Sequence, residues 1–216
     1  MVVLKFGGTS VANAEAISRV VSIVGGRRGP RTVVVSALAG VTDALLDLAD
    51  LAVRDSAAAI AVLGSIVERH AAVAASVRDG QMRQVLDAAI EGIARGAAQA
   101  VHAISAGGDT RPVLVDKLLA SGELWSSRIV AGFLADAGVA CQWVDARHVI
   151  RTDGRHRCAT PDLAATDKIV TRVVRSALAL DRVVVMGGFI GSGPDGATTT
   201  LGRGGSDYSA AAIGAC

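Results

Sequence analysis

The opening segment of the chain alternates between short β-branched runs and stretches in which apolar residues recur at helical spacing. Residues 2–6 and 32–36 are valine-rich runs of the kind that form buried strands. In residues 17–24 and 41–52, apolar side chains lie three or four positions apart and therefore share one face of a helix. A strand–helix–strand–helix order implies parallel strands joined by helical crossovers. The segment thus predicts an α/β fold with a mainly parallel sheet sandwiched by helices.

The middle of the chain contains no convincing strand. Residues 56–106 are alanine-rich with helical spacing, which predicts two helices with a break near Asp79-Gly80. A further helix is predicted over residues 114–137, ending at Gly138. The fold class is therefore α/β with a helical middle section.

The last third returns to alternating strands and helices. Its predicted elements are a strand over residues 139–144, a helix opened by Thr160-Pro161-Asp162 with Thr160 as its cap, a strand over residues 182–186, a glycine- and threonine-rich loop as far as Gly205, and a helix from Ser206. We expect residues 1–216 to form one domain with no second domain.

Composition restricts the possible partners. Apolar residues make up 51% of the 216-residue chain, which favours a buried core over disorder. The formal net charge is only +2, so neither nucleic acid nor an anionic membrane is expected as a partner. No apolar run is expected to be long enough to cross a membrane. These features predict a soluble, cytoplasmic protein.

The cysteines and histidines give no sign of a disulfide framework or a metal site. The three cysteines are widely spaced and form no Cys-x-x-Cys pair. The four histidines show no metal-ligand spacing, and we interpret them as surface or loop residues: His70, His102, His148 and His156. No protein-bound metal is predicted.

The loop Lys5-Phe6-Gly7-Gly8-Thr9-Ser10 follows the first predicted strand and is the first candidate site. Two glycines let the backbone approach a ligand closely, and the start of a helix offers free N–H groups to an anion. Lys5 adds a positive charge at the carboxyl end of the strand, where open α/β sheets bind ligands. An ordinary tight turn with a solvent-exposed lysine is the alternative. The Gly-x-x-x-x-Gly-Lys spacing of a P-loop is absent.

Two further segments are weaker candidates. Residues 36–43 again join a strand to a helix, and their hydroxyl groups could cap the helix or contact a ligand. Ser121-Gly122-Glu123 lies inside a predicted helix, where a glycine costs about 1 kcal/mol relative to alanine. A helix that keeps this glycine could need close approach to another group, with Glu123 at that approach. A surface glutamate is the alternative.

The strongest local signal is the segment of residues 198–209, which contains Leu201-Gly202-Arg203-Gly204-Gly205-Ser206-Asp207. Arg203 can bind a carboxylate or a phosphate through two hydrogen bonds. Asp207 lies in the first turn of the predicted helix, where it could also simply favour the helix dipole. The density of glycine makes a purely structural loop an unsatisfactory explanation.

Residues 191–196 match the Gly-x-Gly-x-x-Gly pattern of dinucleotide-binding folds. A true fingerprint opens a helix directly, whereas this segment contains Pro194-Asp195-Gly196 and runs into a threonine-rich stretch. It is interpreted as a turn, and an oxidoreductase is not supported.

Taken together, these segments resemble the aspartate kinase branch of the amino acid kinase family. The matching stretches are Lys5 to Val11, Val35 to Thr42, Ser121 to Glu123, Gly188 to Gly191 and Thr198 to Ala210, in family order. The first and last are the most specific. The resemblance implies transfer of the ATP γ-phosphoryl group to the side-chain carboxylate of L-aspartate, giving 4-phospho-L-aspartate. That reaction is the entry step to lysine, threonine and methionine synthesis.

The resemblance also implies roles for individual residues. Lys5 would stabilise the transferred phosphoryl group and Asp207 would orient this lysine. The phosphate-binding positions would be Gly7, Gly8, Thr9 and Ser10. The substrate-binding positions would be Arg203 for the α-carboxylate of aspartate, Glu123 for its amino group, and Thr42, Phe189, Ser206 and Ser36 along the pocket. Mg²⁺ would arrive with ATP, without dedicated protein ligands.

The departure from the family is length. Aspartate kinases continue past the last of these loops into the nucleotide-binding half of the kinase domain, so an amino-acid-kinase-like fold lacking that half is expected. The full-length protein is expected to be a homo-oligomer. A catalytically inactive module that binds aspartate or another subunit is an alternative. A glutamate or acetylglutamate kinase is a weaker alternative, because such relatives lack the sequence motifs found here at Lys5–Ser10 and Gly202–Asp207.

Overall fold

The computed structural model describes all 216 residues. The strands are β1 (Val2–Phe6), β2 (Arg31–Val35), β3 (Cys141–Trp143), β4 (Val183–Gly187), β5 (Ile190–Ser192) and β6 (Thr198–Thr200). The helices are α1 (Ala14–Gly25), α2 (Val41–Arg54), α3 (Ser56–Ala74), α4 (Gly80–Ala106), α5 (Arg111–Asp136), α6 (Leu163–Ile169), α7 (Arg175–Ala179) and α8 (Gly205–Ala215). Two short 3₁₀ turns, Gly8–Val11 and Ala146–His148, and a π-helical turn, Val170–Val174, complete the elements.

The main sheet has four parallel strands in the order β1-β2-β4-β3. In its register, Phe6 of β1 pairs with Val35 of β2, which pairs with Gly187 of β4. The carboxyl ends of these three strands therefore lie side by side at one edge of the sheet. The predicted α/β class with a mainly parallel sheet is confirmed.

The sheet is buried on both faces, as its continuous valine runs require. Val33 and Val35 of β2 pack into a core formed with α1 to α5. Val34, between them in the sequence, packs into a second core with the segment from α6 to α8. The alternation of side chains along a strand thus divides the sheet between two helical layers.

The helical middle section is also as predicted, with α3 and α4 separated at residues 75–79. Helix α5 carries the largest fully buried side chain, Trp125, whose indole N–H donates to the Ile90 carbonyl at 3.1 Å. Gly138 ends this helix region with a φ of +76°, a left-handed conformation that favours glycine.

Three details differ from the sequence predictions. Strand β3 is shorter than predicted. Thr160 is not a helix cap: Asp162 caps α6 by accepting the Ala165 N–H, and Pro161 forms a β-bridge with Thr152 instead. The glycine- and threonine-rich stretch predicted as loop contains the antiparallel hairpin β5–β6. Of the Gly191–Gly196 segment predicted as a turn, Gly191 and Ser192 belong to β5, and the turn begins at Gly193, whose N–H donates to the Ala197 carbonyl.

The prediction that all four histidines are surface or loop residues is wrong for His70, whereas His156 lies in the loop between Ala146–His148 and α6. His70 is fully buried on α3, where its Nδ1 lies 2.7 Å from the Ile66 carbonyl and its ring lies 4.8 Å from that of Trp125. Burial lowers the pKa of His70 to about 4, so it is neutral at neutral pH. His156 is partly buried against Asp116.

Helix α3 is long and apolar enough to cross a membrane, which contradicts the prediction that no stretch is. Length and apolar composition are weak evidence, because a core helix of a soluble protein passes the same test. Leu63, Ile66 and Val73 of this helix are buried in the main hydrophobic core.

Candidate active site

A cleft of about 450 Å³ opens where the carboxyl ends of β1, β2 and β4 meet. Open α/β sheets commonly bind ligands at this position. All eight side chains predicted to be catalytic or substrate-binding lie around it: Lys5, Ser36, Thr42, Glu123, Phe189, Arg203, Ser206 and Asp207. They come from segments far apart in the sequence, and the parallel register brings them together.

Lys5 and Asp207 form an ion pair across the cleft, with Nζ of Lys5 3.0 Å from Oδ1 of Asp207. A Cβ atom on Gly7 would lie 3.6 Å from the same Nζ, so the ammonium group lies close to the glycine backbone. The lysine side chain is 26% exposed and the aspartate 70%, which makes the pair worth little to stability. Because the ion pair lies at the carboxyl end of β1, Asp207 can orient the Lys5 ammonium group toward a ligand in the cleft.

Glu123 is the one buried carboxylate that lines the cleft, with 2% of its surface exposed. Its Oε1 accepts the Ala37 N–H at 3.1 Å, whereas its buried Oε2 has no hydrogen-bond partner. Burial raises the pKa of this carboxyl to about 8, and the Ala37 hydrogen bond only partly opposes that shift. An unpartnered carboxylate oxygen in a cleft is prepared to accept a hydrogen bond from a cationic ligand.

Close packing explains how Glu123 reaches this position. A Cβ atom on Gly122 would come within 2.9 Å of Cβ of Ala37, and one on Gly187 would come within 2.8 Å of Cβ of Glu123. Both positions therefore need glycine for α5 to approach the sheet edge. The alternative of a surface glutamate is wrong, and the predicted close approach at Gly122 is confirmed.

Phe189 is held in the left-handed region, with a φ of +64°. Its N–H donates to Oγ of Ser209 at 2.9 Å, and a Cβ atom on Gly205 would lie 2.8 Å from its ring. A Cβ atom on Gly188 would likewise lie 2.7 Å from Cα of Ser206. The start of α8 thus packs directly against the segment that follows β4, which brings Ser206 beside Phe189.

Arg203 lies on the loop between Gly202 and Gly204, whose φ values are +74° and +73°. It is exposed, and its guanidinium makes no ion pair with any carboxylate of the protein. Because it has no ion-pair partner, Arg203 is free to bind an anion that enters the cleft.

Thr42 and Ser36 lie at the start of α2 and directly after β2, respectively. Thr42 is in the first turn of α2, and the Ser36 carbonyl accepts the Ser126 hydroxyl at 2.7 Å.

The four predicted phosphate-binding residues do not line this cleft. Gly8 begins the 3₁₀ turn after β1, and a Cβ atom there would lie 3.0 Å from the Ala37 carbonyl, so glycine allows the two strand-end loops to touch. Thr9 and Ser10 lie in this turn, and both are exposed. Their phosphate-binding role stays a prediction.

Eight lining residues were not assigned individual roles from the sequence. These are Asp43, Leu46, Leu119, Arg157, Thr200, Gly202, Gly204 and Gly205. The glycines and Thr200 lie inside the candidate segment of residues 198–209, and Asp43 is the last residue of the candidate segment 36–43. Nothing in the local sequence indicates Leu119 or Arg157, because their positions depend on long-range packing.

No group of three or more His, Cys, Asp or Glu side chains is arranged to hold a metal ion. Two of the three carboxylates that line the cleft are poor metal ligands as they stand: Asp207 is engaged by Lys5, and Glu123 has a raised pKa that favours its neutral form at neutral pH.

Comparison with known proteins gives a consistent result. The model of the amino acid kinase family matches residues 1–216. The chain is 37% identical over 214 residues to lysine-sensitive aspartokinase 3 of Escherichia coli, covering 99% of this chain and 46% of that protein. It is 34% identical to an aspartokinase of Chlamydia muridarum, covering 98% of this chain and 44% of that protein. The chain thus spans less than half the length of these relatives.

Similarity extends to a bifunctional aspartokinase/homoserine dehydrogenase of Arabidopsis thaliana, with 33% identity over 98% of this chain and 23% of that protein. Among solved structures, E. coli aspartokinase III in complex with aspartate and ADP superposes with a TM-score of 0.90 at 36% identity. That match covers 99% of this chain and 46% of the aspartokinase.

Proposed function

Because this chain belongs to the amino acid kinase family, we propose that it forms the aspartate-binding part of an aspartate kinase. The reaction would transfer the γ-phosphoryl group of ATP to the side-chain carboxylate of L-aspartate, giving 4-phospho-L-aspartate and ADP. Such a reaction would supply lysine, threonine and methionine synthesis.

The observation that carries the proposal is the charge arrangement of the cleft. It combines two cationic side chains, Lys5 and Arg203, with an unpartnered buried carboxylate, Glu123. An α-amino acid presents a carboxylate and an ammonium group, and aspartate adds a second carboxylate. Lys5 and Arg203 offer positive charge to anionic groups, and Glu123 offers a free carboxyl oxygen to the ammonium group, whose presence favours ionisation of that carboxyl.

The nucleophile needs no general base in this reaction. The side-chain carboxyl of aspartate has a reference pKa of about 3.9, so it is already ionised at neutral pH. The barrier comes from bringing an anionic nucleophile to an anionic phosphate, so that positioning and positive charge must supply the catalysis.

Lys5 would supply that charge at the phosphoryl end. Its ammonium group lies beside the Gly7 backbone and is oriented by Asp207 at 3.0 Å. Fixed positive groups aimed at charge that develops in the transition state contribute strongly to phosphoryl transfer. Mg²⁺ would enter bound to the phosphates of ATP, whose oxygens are ligands that this cation prefers.

Arg203 and Glu123 would hold the amino-acid end of the substrate. The planar guanidinium of Arg203 can bind the α-carboxylate through two parallel hydrogen bonds. The free Oε2 of Glu123 would accept a hydrogen bond from the ammonium group, which favours the ionised form of this carboxyl. Together these contacts would fix which carboxylate of aspartate faces the phosphate.

Two measurements test the proposal. Isothermal titration of residues 1–216 with L-aspartate and with Mg-ATP measures which ligand the chain binds alone, and a hydroxamate assay for the acyl phosphate measures turnover of the full-length protein. We expect aspartate binding by the chain and acyl-phosphate formation by the full-length protein. Aspartate binding without turnover by the full-length protein would instead support an inactive binding module.

Arg203→Ala is expected to raise the KM for aspartate of the full-length protein about 30-fold while changing the KM for Mg-ATP less than about threefold, because a charge-assisted bidentate contact is lost. Steady-state kinetics with each substrate varied in turn would measure this. Arg19→Ala, which removes an exposed arginine of α1 paired with Glu15, is the matched control. Equal increases in both KM values would contradict the role given to Arg203.

A further inference from the structure

Arg157 adopts a backbone conformation that usually requires glycine. Its φ is +69°, in the left-handed region, where a side chain crowds the backbone. The residue lines the cleft, and its guanidinium makes no hydrogen bond or ion pair within the protein. Strained residues of this kind persist where the surrounding structure holds them, and they concentrate at ligand sites.

Asp116 holds this conformation in place. Its carboxylate is fully buried, and its two oxygens accept the Arg157 N–H at 3.1 and 3.3 Å. The same oxygens accept the Thr200 N–H at 3.2 Å and the Thr200 hydroxyl at 2.6 Å. Nδ1 of His156 lies 2.8 Å away. One buried carboxylate thus ties the loop that carries Arg157 to strand β6 and fixes two walls of the cleft.

Arg157 lies next to the loop that carries Arg203. A Cβ atom on Gly202 would lie 3.0 Å from the Arg157 carbonyl oxygen, so these two backbone segments touch. Arg203 follows Gly202 directly. Two unpaired guanidinium groups therefore extend from adjoining segments that line one cleft. Like charges in such an arrangement repel each other unless an anion lies between them.

We propose that Arg157 is a second arginine that binds the α-carboxylate of the amino-acid substrate, together with Arg203. This assignment rests on the proposed function and adds a specificity-determining residue to it. A carboxylate has two oxygens and accepts hydrogen bonds from two guanidinium groups at once. The cleft would therefore require a free α-carboxylate more strictly than one arginine could.

Arg157→Gly tests this assignment without disturbing the fold, because glycine adopts a φ of +69° without strain. Titration of residues 1–216 with L-aspartate should show about 10-fold weaker binding by the variant. L-Asparagine, which keeps the α-carboxylate, should lose a similar factor. The α-amide of L-aspartate, which lacks it, should bind the variant and the wild-type protein within about twofold of each other.

The melting temperature of Arg157→Gly should equal or exceed that of the wild-type protein, which separates lost binding from lost structure. Arg157→Asn, whose side chain also tolerates the left-handed region, serves if the glycine variant does not fold. Arg155→Ala is the matched control for net charge: it removes an arginine of the same loop that pairs with Asp153 and does not line the cleft. Its aspartate affinity should stay within about twofold of wild type.

Unchanged aspartate affinity in Arg157→Gly would overturn the assignment, and so would an equal loss of affinity for the α-amide. Failure of the wild-type chain to bind aspartate at all would overturn the proposed function itself, which is a distinct result.

Discussion

Replacing Lys5 with methionine is expected to lower the turnover number of the full-length protein about 10³-fold, with an aspartate KM within about threefold of wild type. Methionine matches the length of lysine but carries no charge. The proposed role places the Lys5 ammonium group against the transferred phosphoryl group, where negative charge develops only in the transition state. An interaction made only there affects turnover more than substrate binding.

The structure supplies the controls for this variant. Lys168 is an exposed lysine of α6 that does not line the cleft, so Lys168→Met should keep full activity. Asp207→Asn keeps Lys5 but removes the carboxylate that orients it at 3.0 Å, so it should lower turnover about 10-fold, less than Lys5→Met does. The unfolding temperatures should barely change, because an ion pair whose aspartate is 70% exposed contributes little to stability. A raised aspartate KM with unchanged turnover in Lys5→Met would place Lys5 at the amino-acid end instead.

The frame of the fold and most of the cleft can be predicted from the sequence because they depend on local patterns. The valine runs at residues 2–6 and 32–36 and the helical spacing after them indicate parallel strands without knowledge of distant contacts. The loops at the ends of such strands meet at one edge by geometry. Loops with lysine, glycine and hydroxyl residues at those ends are therefore brought together, as Lys5 and Ser36 are.

The hairpin β5–β6 and the burial of His70 are harder to predict, each for a physical reason. Glycine has a low strand propensity, and threonine also occurs often in turns. A glycine- and threonine-rich stretch such as residues 190–200 is therefore predicted as loop, although its strands pair regularly. His70 lies on α3 four residues after Ile66 and three before Val73, both of them buried, and that spacing could have indicated a buried face.

Arg157 could not be found from local patterns at all. Its position depends on Asp116, which is 41 residues away in the sequence and lies on another element. A charged side chain in the left-handed region has no composition signal, because the conformation is imposed by the partner carboxylate. The same holds for the orphaned Oε2 of Glu123, which results from the packing of α5 at Gly122.

The second large effect is expected at Glu123, whose pKa burial raises to about 8 from an ordinary value near 4.5. In the unfolded chain this carboxyl loses its proton near its ordinary pKa, whereas the folded, ligand-free chain keeps it until about pH 8. The folded state therefore binds more protons between these two values. The free energy of unfolding must fall as pH rises through this window, by on the order of 5 kcal/mol, and level off above it.

Glu123→Gln should remove this dependence, because glutamine is nearly isosteric with the protonated carboxyl and cannot ionise. Urea unfolding of both proteins from about pH 5 to about pH 9 should give a stability difference in favour of the variant that grows with pH. His70, whose pKa is lowered to about 4, acts in the opposite direction: its contribution is present above its ordinary pKa and is lost as pH falls below it. It is common to both proteins and cancels in the difference. Glu91→Gln, at an exposed position of α4, should show no such trend.

The same carboxyl should couple aspartate binding to proton release. An ammonium group placed at the free Oε2 favours the ionised form of Glu123, so aspartate binding near pH 7 should release close to one proton. Aspartate affinity should then rise from about pH 6 to about pH 8, and Glu123→Gln should bind aspartate at least about 30-fold more weakly, without proton release. Calorimetric titration in buffers of different ionisation enthalpy measures the proton count directly. Binding by the wild-type protein that releases no proton, together with a stability difference that is flat across the pH range, would mean that Glu123 is already ionised in the empty cleft. The negative charge of Glu123 would then have to be stabilised by a group other than the ammonium group of the substrate.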